Sequence, residues 1–291
     1  MSIKKDYCLR ASAAGGQIRA FAAYSKHLTN RAAVIHGTSP VASAALGRLL
    51  TAAAMMGLMA GNDKDLLTIS IKGDGPMGGL LATADGLGRV KGYVVNPHCV
   101  VENKANGKLD VSGAIGAGFI TVVKDLGLKE PYTGKLELIS GEIAEDVAGY
   151  FLMSEQTPSV LSLGVLVERD HSIKEAGGFL LQLMPGHDAA LIDRLEAVME
   201  NFPTVTELFA QGKSPEDVLE MLLGDFGYEI TQTHPIEYYC NCDRDRVTGA
   251  IISIGRAELA QIIEEDGQAE INCHFCEGQY RFSREELEDM L

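Results

Sequence analysis

Cys240-Asn241-Cys242 and Cys273-His274-Phe275-Cys276 set four of the chain's six cysteines in two close pairs, with thirty residues between the pairs. Thiols this near in sequence can turn toward one ion, and two such pairs complete a tetrahedral sulfur site of the kind zinc takes. The interval is longer than in the commonest zinc ribbons, and Cys-x-Cys is a rarer half-site than Cys-x-x-Cys. Two pairs of unrelated buried thiols is the alternative. The spacing leads us to expect one Zn²⁺ per chain, held by Cys240, Cys242, Cys273 and Cys276. His274 is left out, because four thiolates already fill a tetrahedron.

A Cys-x-x-Cys pair also serves thiol–disulfide oxidoreductases, whose first cysteine sits at a helix N-terminus that lowers its pKa. Here Cys276 runs into Glu277-Gly278-Gln279-Tyr280-Arg281-Phe282, which reads as a turn and a strand. The second pair has no part in that mechanism. Cys8 and Cys99 are unpaired, and His98 beside Cys99 points to the opposite face if the segment is a strand. Gly73-Asp74-Gly75-Pro76-Met77-Gly78 matches G-x-G-x-x-G, but a phosphate site needs a helix to open there. Gly79 to Ala84 continues instead as a strand-like run, and Asp74 would repel phosphate. A glycine-rich turn is expected, no catalytic residue is assigned, and the chain is not read as an enzyme.

Zinc keeps thiols deprotonated, and thiolates are the species that oxidants attack. Its binding energy, roughly 10–16 kcal/mol for a structural site, is also folding energy. The segment 233–291 is short and has few large apolar groups, so its own core is marginal. Oxidising one pair removes two ligands, releases the metal and unfolds the module. A redox-triggered switch and a passive structural zinc both satisfy this chemistry.

The elements that must carry this module are legible in outline. Residues 1–185 read as α+β, with strand-like runs at 66–72, 89–95, 119–124, 135–139 and 160–167 punctuated by Gly, Asn, Asp and Pro. Between the early strands, Ser39 as N-cap and Pro40 at the first position open a long helix reaching Gly61. It is apolar nearly all round, so a helix buried between β-layers is expected. Gly177-Gly178 and Pro185-Gly186 are expected to mark turns or a bulge. Residues 186–232 form a helical linker. Leu191, Ile192, Leu195, Val198 and Met199 share one helix face, and a second helix after Ser214-Pro215 carries Val218, Leu219, Leu222 and Leu223. A short irregular segment from Thr204 to Gly212 joins them. The last part, 233–291, holds a helix at 256–265 and a final one opened by the Ser283–Glu286 capping box.

Charge narrows the partners. Residues 1–185 carry 18 basic and 17 acidic side chains, whereas 186–291 carry 7 and 23. A zinc module that binds phosphate needs a basic stripe, so no nucleic-acid partner is expected. Met1-Ser2-Ile3-Lys4-Lys5-Asp6-Tyr7 lacks the apolar stretch of an export signal. The run Val41–Ala60 contains Arg48 and many small residues, so no membrane partner is expected. Paired cysteines without an export signal suit a reducing cytosol.

Cys240-x-Cys242 and Cys273-x-x-Cys276, with the surrounding Glu264-Glu265-Asp266-Gly267-Gln268-Ala269-Glu270-Ile271-Asn272, resemble the switch centre of the heat-shock protein 33 family of bacterial redox-regulated holdase chaperones. His36-Gly37-Thr38-Ser39-Pro40, Val123-Lys124-Asp125-Leu126-Gly127-Leu128 and the run Gly177 to Gly186 are similar to that family too. The resemblance implies a substrate-binding domain (1–185), a linker (186–232) and a zinc switch (233–291). It implies that the reduced, zinc-bound form is inactive, and that oxidation forms Cys240–Cys242 and Cys273–Cys276 disulfides. Zinc then leaves, the switch and linker unfold, and the exposed surface holds unfolding client proteins without ATP, often as a homodimer. A thiol–disulfide oxidoreductase and a zinc scaffold for partners are the competing classes.

Overall fold

The computed structural model describes residues 5–291, so the expectation drawn from Met1-Ser2-Ile3-Lys4 lies outside the described residues. From the N-terminus run β1 (Tyr7–Ala13), β2 (Ile18–Tyr24), α1 (Lys26–His36) and α2 (Pro40–Ala60). Then come β3 (Leu66–Gly73), β4 (Leu80–Asp85), β5 (Arg89–Val94), α3 (Val111–Ile115), β6 (Gly118–Asp125) and β7 (Tyr132–Glu137). They are followed by α4 (Ile143–Glu155), β8 (Ser159–Val167) and β9 (Ile173–Leu183). Three helices, α5 (Ala190–Met199), α6 (Val205–Ala210) and α7 (Pro215–Leu223), lead to β10 (Glu229–Pro235) and β11 (Glu237–Tyr238). The chain ends with α8 (Arg244–Ser253), α9 (Arg256–Glu265), β12 (Gln268–Asn272), β13 (Gln279–Ser283) and α10 (Arg284–Glu288). Compactness divides it into Met1–Tyr238 and Tyr239–Leu291.

The first unit is α+β and layered around α2, as expected. One sheet has the order β10-β1-β2-β9-β8, and the other β11-β5-β4-β3-β6-β7. The α2 helix packs against β3, β4 and β5 on one side and β2, β8 and β9 on the other. Its entry follows the sequence reading: the Ser39 hydroxyl accepts from the Ala42 amide, Pro40 follows it, and Gly61 closes the helix in the left-handed region. Small residues let the sheets come close. A methyl group on Gly57 would lie 2.7 Å from the Asp85 carbonyl oxygen. Arg48 is tolerated because Glu142 meets it at 2.6 Å. This helix is long and apolar enough to cross a membrane, yet 94% of its apolar window is buried inside the fold.

The other face of the first sheet forms a second core. Leu9, Ala11, Ala20, Ala22, Phe179 and Leu181 meet Leu195, Leu208, Phe209, Val218, Leu219 and Leu222 from α5–α7. The apolar faces of α5–α7 therefore rest on this sheet, as their spacing required. Ile192 is the exception, 38% exposed at the outer side of α5. The 204–212 segment is also not irregular. It contains α6, opened by a reciprocal capping box between Thr204 and Glu207, and it buries Val205, Leu208 and Phe209.

Gly177-Gly178 is neither a turn nor a bulge. Both lie inside β9, paired with β2 and β8. Glycine is needed there for close approach, since a methyl group on Gly177 would lie 2.4 Å from the Phe209 ring. Pro185-Gly186 does form a turn. The run expected at 135–139 begins earlier and ends at Glu137, because it pairs with β6 from Tyr132 onward.

Candidate metal centre

The second unit builds its site from a loop and a hairpin. Cys240 and Cys242 precede α8, whose N-cap Asp243 accepts from the Arg246 amide at 2.8 Å. Cys273 and Cys276 lie on the turn between β12 and β13, which pair antiparallel from Gln268↔Ser283 to Asn272↔Gln279. The turn is closed by backbone bonds from the Cys273 amide to Gly278 and from the Cys276 and Glu277 amides to Cys273. Beneath it, Val247, Ile251, Leu259, Ile263, Phe282 and Leu287 form the core of buried side chains. Arg244 covers Phe282 at 4.4 Å and pairs with Glu286 at 2.5 Å, fixing the start of α8 to α10. So few buried groups make a weak core.

The four sulfurs converge, all within 4.8 Å of one another. Cys240 Sγ lies 3.7 Å from Cys273 Sγ, and Cys242 Sγ lies 3.1 Å from Cys276 Sγ. Tetrahedral zinc at about 2.3 Å from each sulfur requires sulfur separations of about 3.8 Å, so small movements bring this donor set onto one ion. Its chemistry also suits zinc, since all donors are thiols. His274 is not among the converging groups. All six cysteines are free thiols, and both of these sulfur contacts join one pair to the other.

The thiols are electrostatically unequal. Burial pushes the Cys242 thiol up, but hydrogen bonds from Tyr280 and the three neighbouring thiols outweigh it and bring it to about 7. Burial, with hydrogen bonds to neighbouring sulfurs, raises Cys240 and Cys276. Before metal binds, the cluster thus favours one thiolate at Cys242 stabilised by donors around it. Tyr280, whose hydroxyl donates to Cys242 Sγ at 3.2 Å, was not singled out from sequence. The available signal was the alternation on β13, where Tyr280 and Phe282 turn inward between exposed Gln279, Arg281 and Ser283.

The remaining candidates are not members of this cluster. Cys8 and Cys99 are buried in the first unit, and burial raises both thiols. His98 is exposed and lies in a turn instead of a strand, so it forms no dyad with the buried Cys99. Gly73–Gly78 is a turn in which Asp74 accepts from the Ala117 amide at 2.8 Å, and β4 follows it as expected. The Cys-x-x-Cys pair sits on a hairpin turn, away from the helix N-terminus that dithiol exchange uses.

Comparison with known proteins covers nearly the whole chain. The family model described as "Hsp33 protein" matches residues 6–283. A protein named 33 kDa chaperonin from Clostridioides difficile (strain 630) is 49% identical over 288 residues, covering 99% of each chain. Another of that name, from Geobacillus kaustophilus (strain HTA426), is 47% identical and covers 98% of this chain and 97% of its own. The crystal structure of a 33 kDa chaperonin (heat shock protein 33 homolog) from Thermotoga maritima superposes with a TM-score of 0.89 at 36% identity, covering 99% and 98% of the two chains. With the layered domain, the helices resting on its sheet and the four converging thiols in place, these matches show that the chain belongs to the Hsp33 family.

Proposed function

We propose that this chain is a redox-switched, ATP-independent holdase chaperone, inactive while reduced and zinc-loaded. The observation that carries the reading is the convergence of four thiols over a core as small as Val247, Ile251, Leu259, Ile263, Phe282 and Leu287. Bound Zn²⁺ would cross-link the Cys240/Cys242 loop to the Cys273/Cys276 turn and add roughly 10–16 kcal/mol to the stability of the module.

The chain's own groups supply the switch. Cys273 and Cys276 close one disulfide, and Cys240 and Cys242 the other, a pairing that rests on the family resemblance. Each closure forms one sulfur–sulfur bond and gives two electrons to an oxidant such as hydrogen peroxide. The peroxide's oxygen–oxygen bond breaks, and because the zinc-held sulfurs are thiolates, two protons taken up from solvent complete the two waters. Sulfurs in disulfides no longer act as thiolate ligands, so the module loses its cross-link and unfolds.

The consequence reaches the linker, 186–232, whose α5–α7 cover an apolar sheet face. Each large side chain buried there contributes about 1.5–3 kcal/mol, so loosening the linker uncovers a surface suited to unfolding proteins. In this reading 1–185 binds client, 233–291 is the switch, and the oxidised form is a homodimer. The acidic 186–291 segment speaks against a nucleic-acid partner. A reducing cytosol suits thiols that must stay free until stress arrives.

The test is light scattering of a heat-unfolded client with reduced zinc-loaded or oxidised zinc-free protein. Suppression by the oxidised form alone supports the reading. Turnover of small disulfides would favour an oxidoreductase, and client binding indifferent to oxidant would favour a zinc scaffold.

A further inference from the structure

One short segment, Glu229 to Tyr238, covers an outer edge of both sheets in the first unit. Its first part, β10, pairs antiparallel with β1 from Ser12↔Glu229 to Tyr7↔Pro235, with an irregularity at Arg10/Ala11. Its second part, β11, pairs parallel with β5 at Glu237↔Arg89 and Tyr238↔Val90. Each lies outermost in its sheet.

The two parts are held differently. Every β10 side chain is exposed except half-buried His234, and even Ile230 is 40% exposed. Its side-chain contacts are slight: Thr231 Oγ1 donates to the Arg10 carbonyl, and Arg10 reaches Gln232 Oε1 at 3.4 Å. The strand is therefore held by its backbone, in a manner that barely depends on its sequence. By contrast β1 is fixed, with Cys8 and Leu9 buried on opposite faces of its sheet.

The anchors sit at the end nearest the switch. Ile236 and Tyr238 are buried, and the Tyr238 hydroxyl donates to the Gly92 carbonyl at 2.8 Å beside His36 Nε2 at 3.2 Å. At the crossing between sheets, the Ile236 amide donates to the Asp6 carbonyl and the Glu237 amide to Gly88. Gly88 has φ +82°, and a methyl group there would lie 2.4 Å from the Pro235 carbonyl oxygen. Cys240 follows Tyr238 by two residues in the sequence.

We propose that residues 229–238 form a removable strand, and that the β1 and β5 edges beneath it pair with extended segments of an unfolded client. The proposal rests on the chaperone reading above and names its binding mode. When the part of the switch beyond Tyr238 unfolds, β11 becomes the last ordered element of a frayed chain, and fraying spreads into a strand held mainly by backbone bonds. An uncovered edge offers unpaired amides and carbonyls to any extended chain. Unfolded proteins share that backbone whatever their sequence, so strand pairing gives affinity without selecting side chains. Two edges on separate sheets let one client engage twice, which raises avidity.

Hydrogen exchange of the full chain tests this in three states: reduced with zinc, oxidised, and oxidised with reduced carboxymethylated α-lactalbumin, a permanently unfolded polypeptide. Peptides covering Tyr7–Ala13 and Arg89–Val94 should exchange roughly tenfold faster after oxidation and regain protection when the polypeptide is added. Aggregation is scored on the same samples. If the oxidised protein suppresses aggregation while these edges stay protected on oxidation, or stay fast with polypeptide bound, edge pairing is overturned and the holdase reading stands. If the oxidised protein neither suppresses aggregation nor binds the polypeptide, both fall together.

Discussion

Tyr280 donates its phenol hydrogen to the Cys242 sulfur across 3.2 Å, linking the strand after the second cysteine pair to the first pair. The bond favours the thiolate, and it helps to bring Cys242 to about 7 against the effect of burial. In return, the hydrogen bond to Cys242 and burial push the Tyr280 hydroxyl up to about 12, so it stays a donor near neutral pH.

Substituting Tyr280→Phe should weaken zinc binding roughly 10- to 100-fold, the usual cost of losing an outer-sphere hydrogen bond. Competition with a chromophoric chelator measures it, with circular dichroism to check that β12 and β13 still form. Unchanged affinity in a folded variant would show that the bond does not tune the sulfur.

Zinc binding should also depend steeply on pH. Burial raises Cys240 and Cys276, so both remain protonated in the metal-free cluster at neutral pH, and binding must release at least those two protons. Apparent affinity should then fall at least about 100-fold per pH unit on acidification, and more steeply still below about pH 7 as Cys242 regains its proton too. Chelator competition between pH 6 and 8 gives the slope, and elemental analysis should find one zinc per chain, lost in a Cys273→Ser/Cys276→Ser variant. A slope below tenfold per unit, or zinc retained in that variant, would remove the four-thiolate site.

Much of this arrangement was legible in the sequence, and the gaps have physical causes. Ser39-Pro40 and Ser283/Glu286 announced their helices because capping is local chemistry. The strands β1 and β2 gave no such signal. Their sheet is buried on both faces, so Ile18-Arg19-Ala20-Phe21-Ala22-Ala23-Tyr24 does not alternate polar with apolar. Gly177-Gly178 looked like a turn because its reasons lie on other elements, the Ala23 carbonyl and Phe209 ring against Gly177 and the Ser162 carbonyl against Gly178, contacts no local reading contains. At the site, cysteine spacing pointed to one cluster, but Tyr280 joined it only through the register of β12 with β13.

The order of disulfide formation should follow loop geometry. Cys273 and Cys276 share one turn, closed by the Cys276 amide on the Cys273 carbonyl. A bridge across the single residue Asn241 makes a smaller and more strained ring, and strained disulfides are easier to reduce. Peptide mapping along a peroxide time course should find Cys273–Cys276 forming at least as early as Cys240–Cys242. An early Cys240–Cys242 bridge, with the other pair still reduced, would reverse the ranking.

Removing the switch should activate what it restrains, and the place of the cut matters. A chain ending at Thr231 loses the rest of β10 and all of β11, including the Ile236 and Tyr238 anchors. One ending at Tyr239 loses the metal module but keeps both strands. The α2 core in both depends on Leu46, Leu49, Leu50 and Met55 packing between sheets, not on zinc, so the layered domain should stay folded. We expect the shorter chain to suppress client aggregation without oxidant, and the longer one to do so less at equal concentration, because its sheet edges remain covered. Light scattering measures this, with circular dichroism and thermal melts confirming that both are folded. If the folded shorter chain were as inactive as the reduced full-length protein, restraint by the switch would be wrong, and oxidation itself would have to create the binding surface.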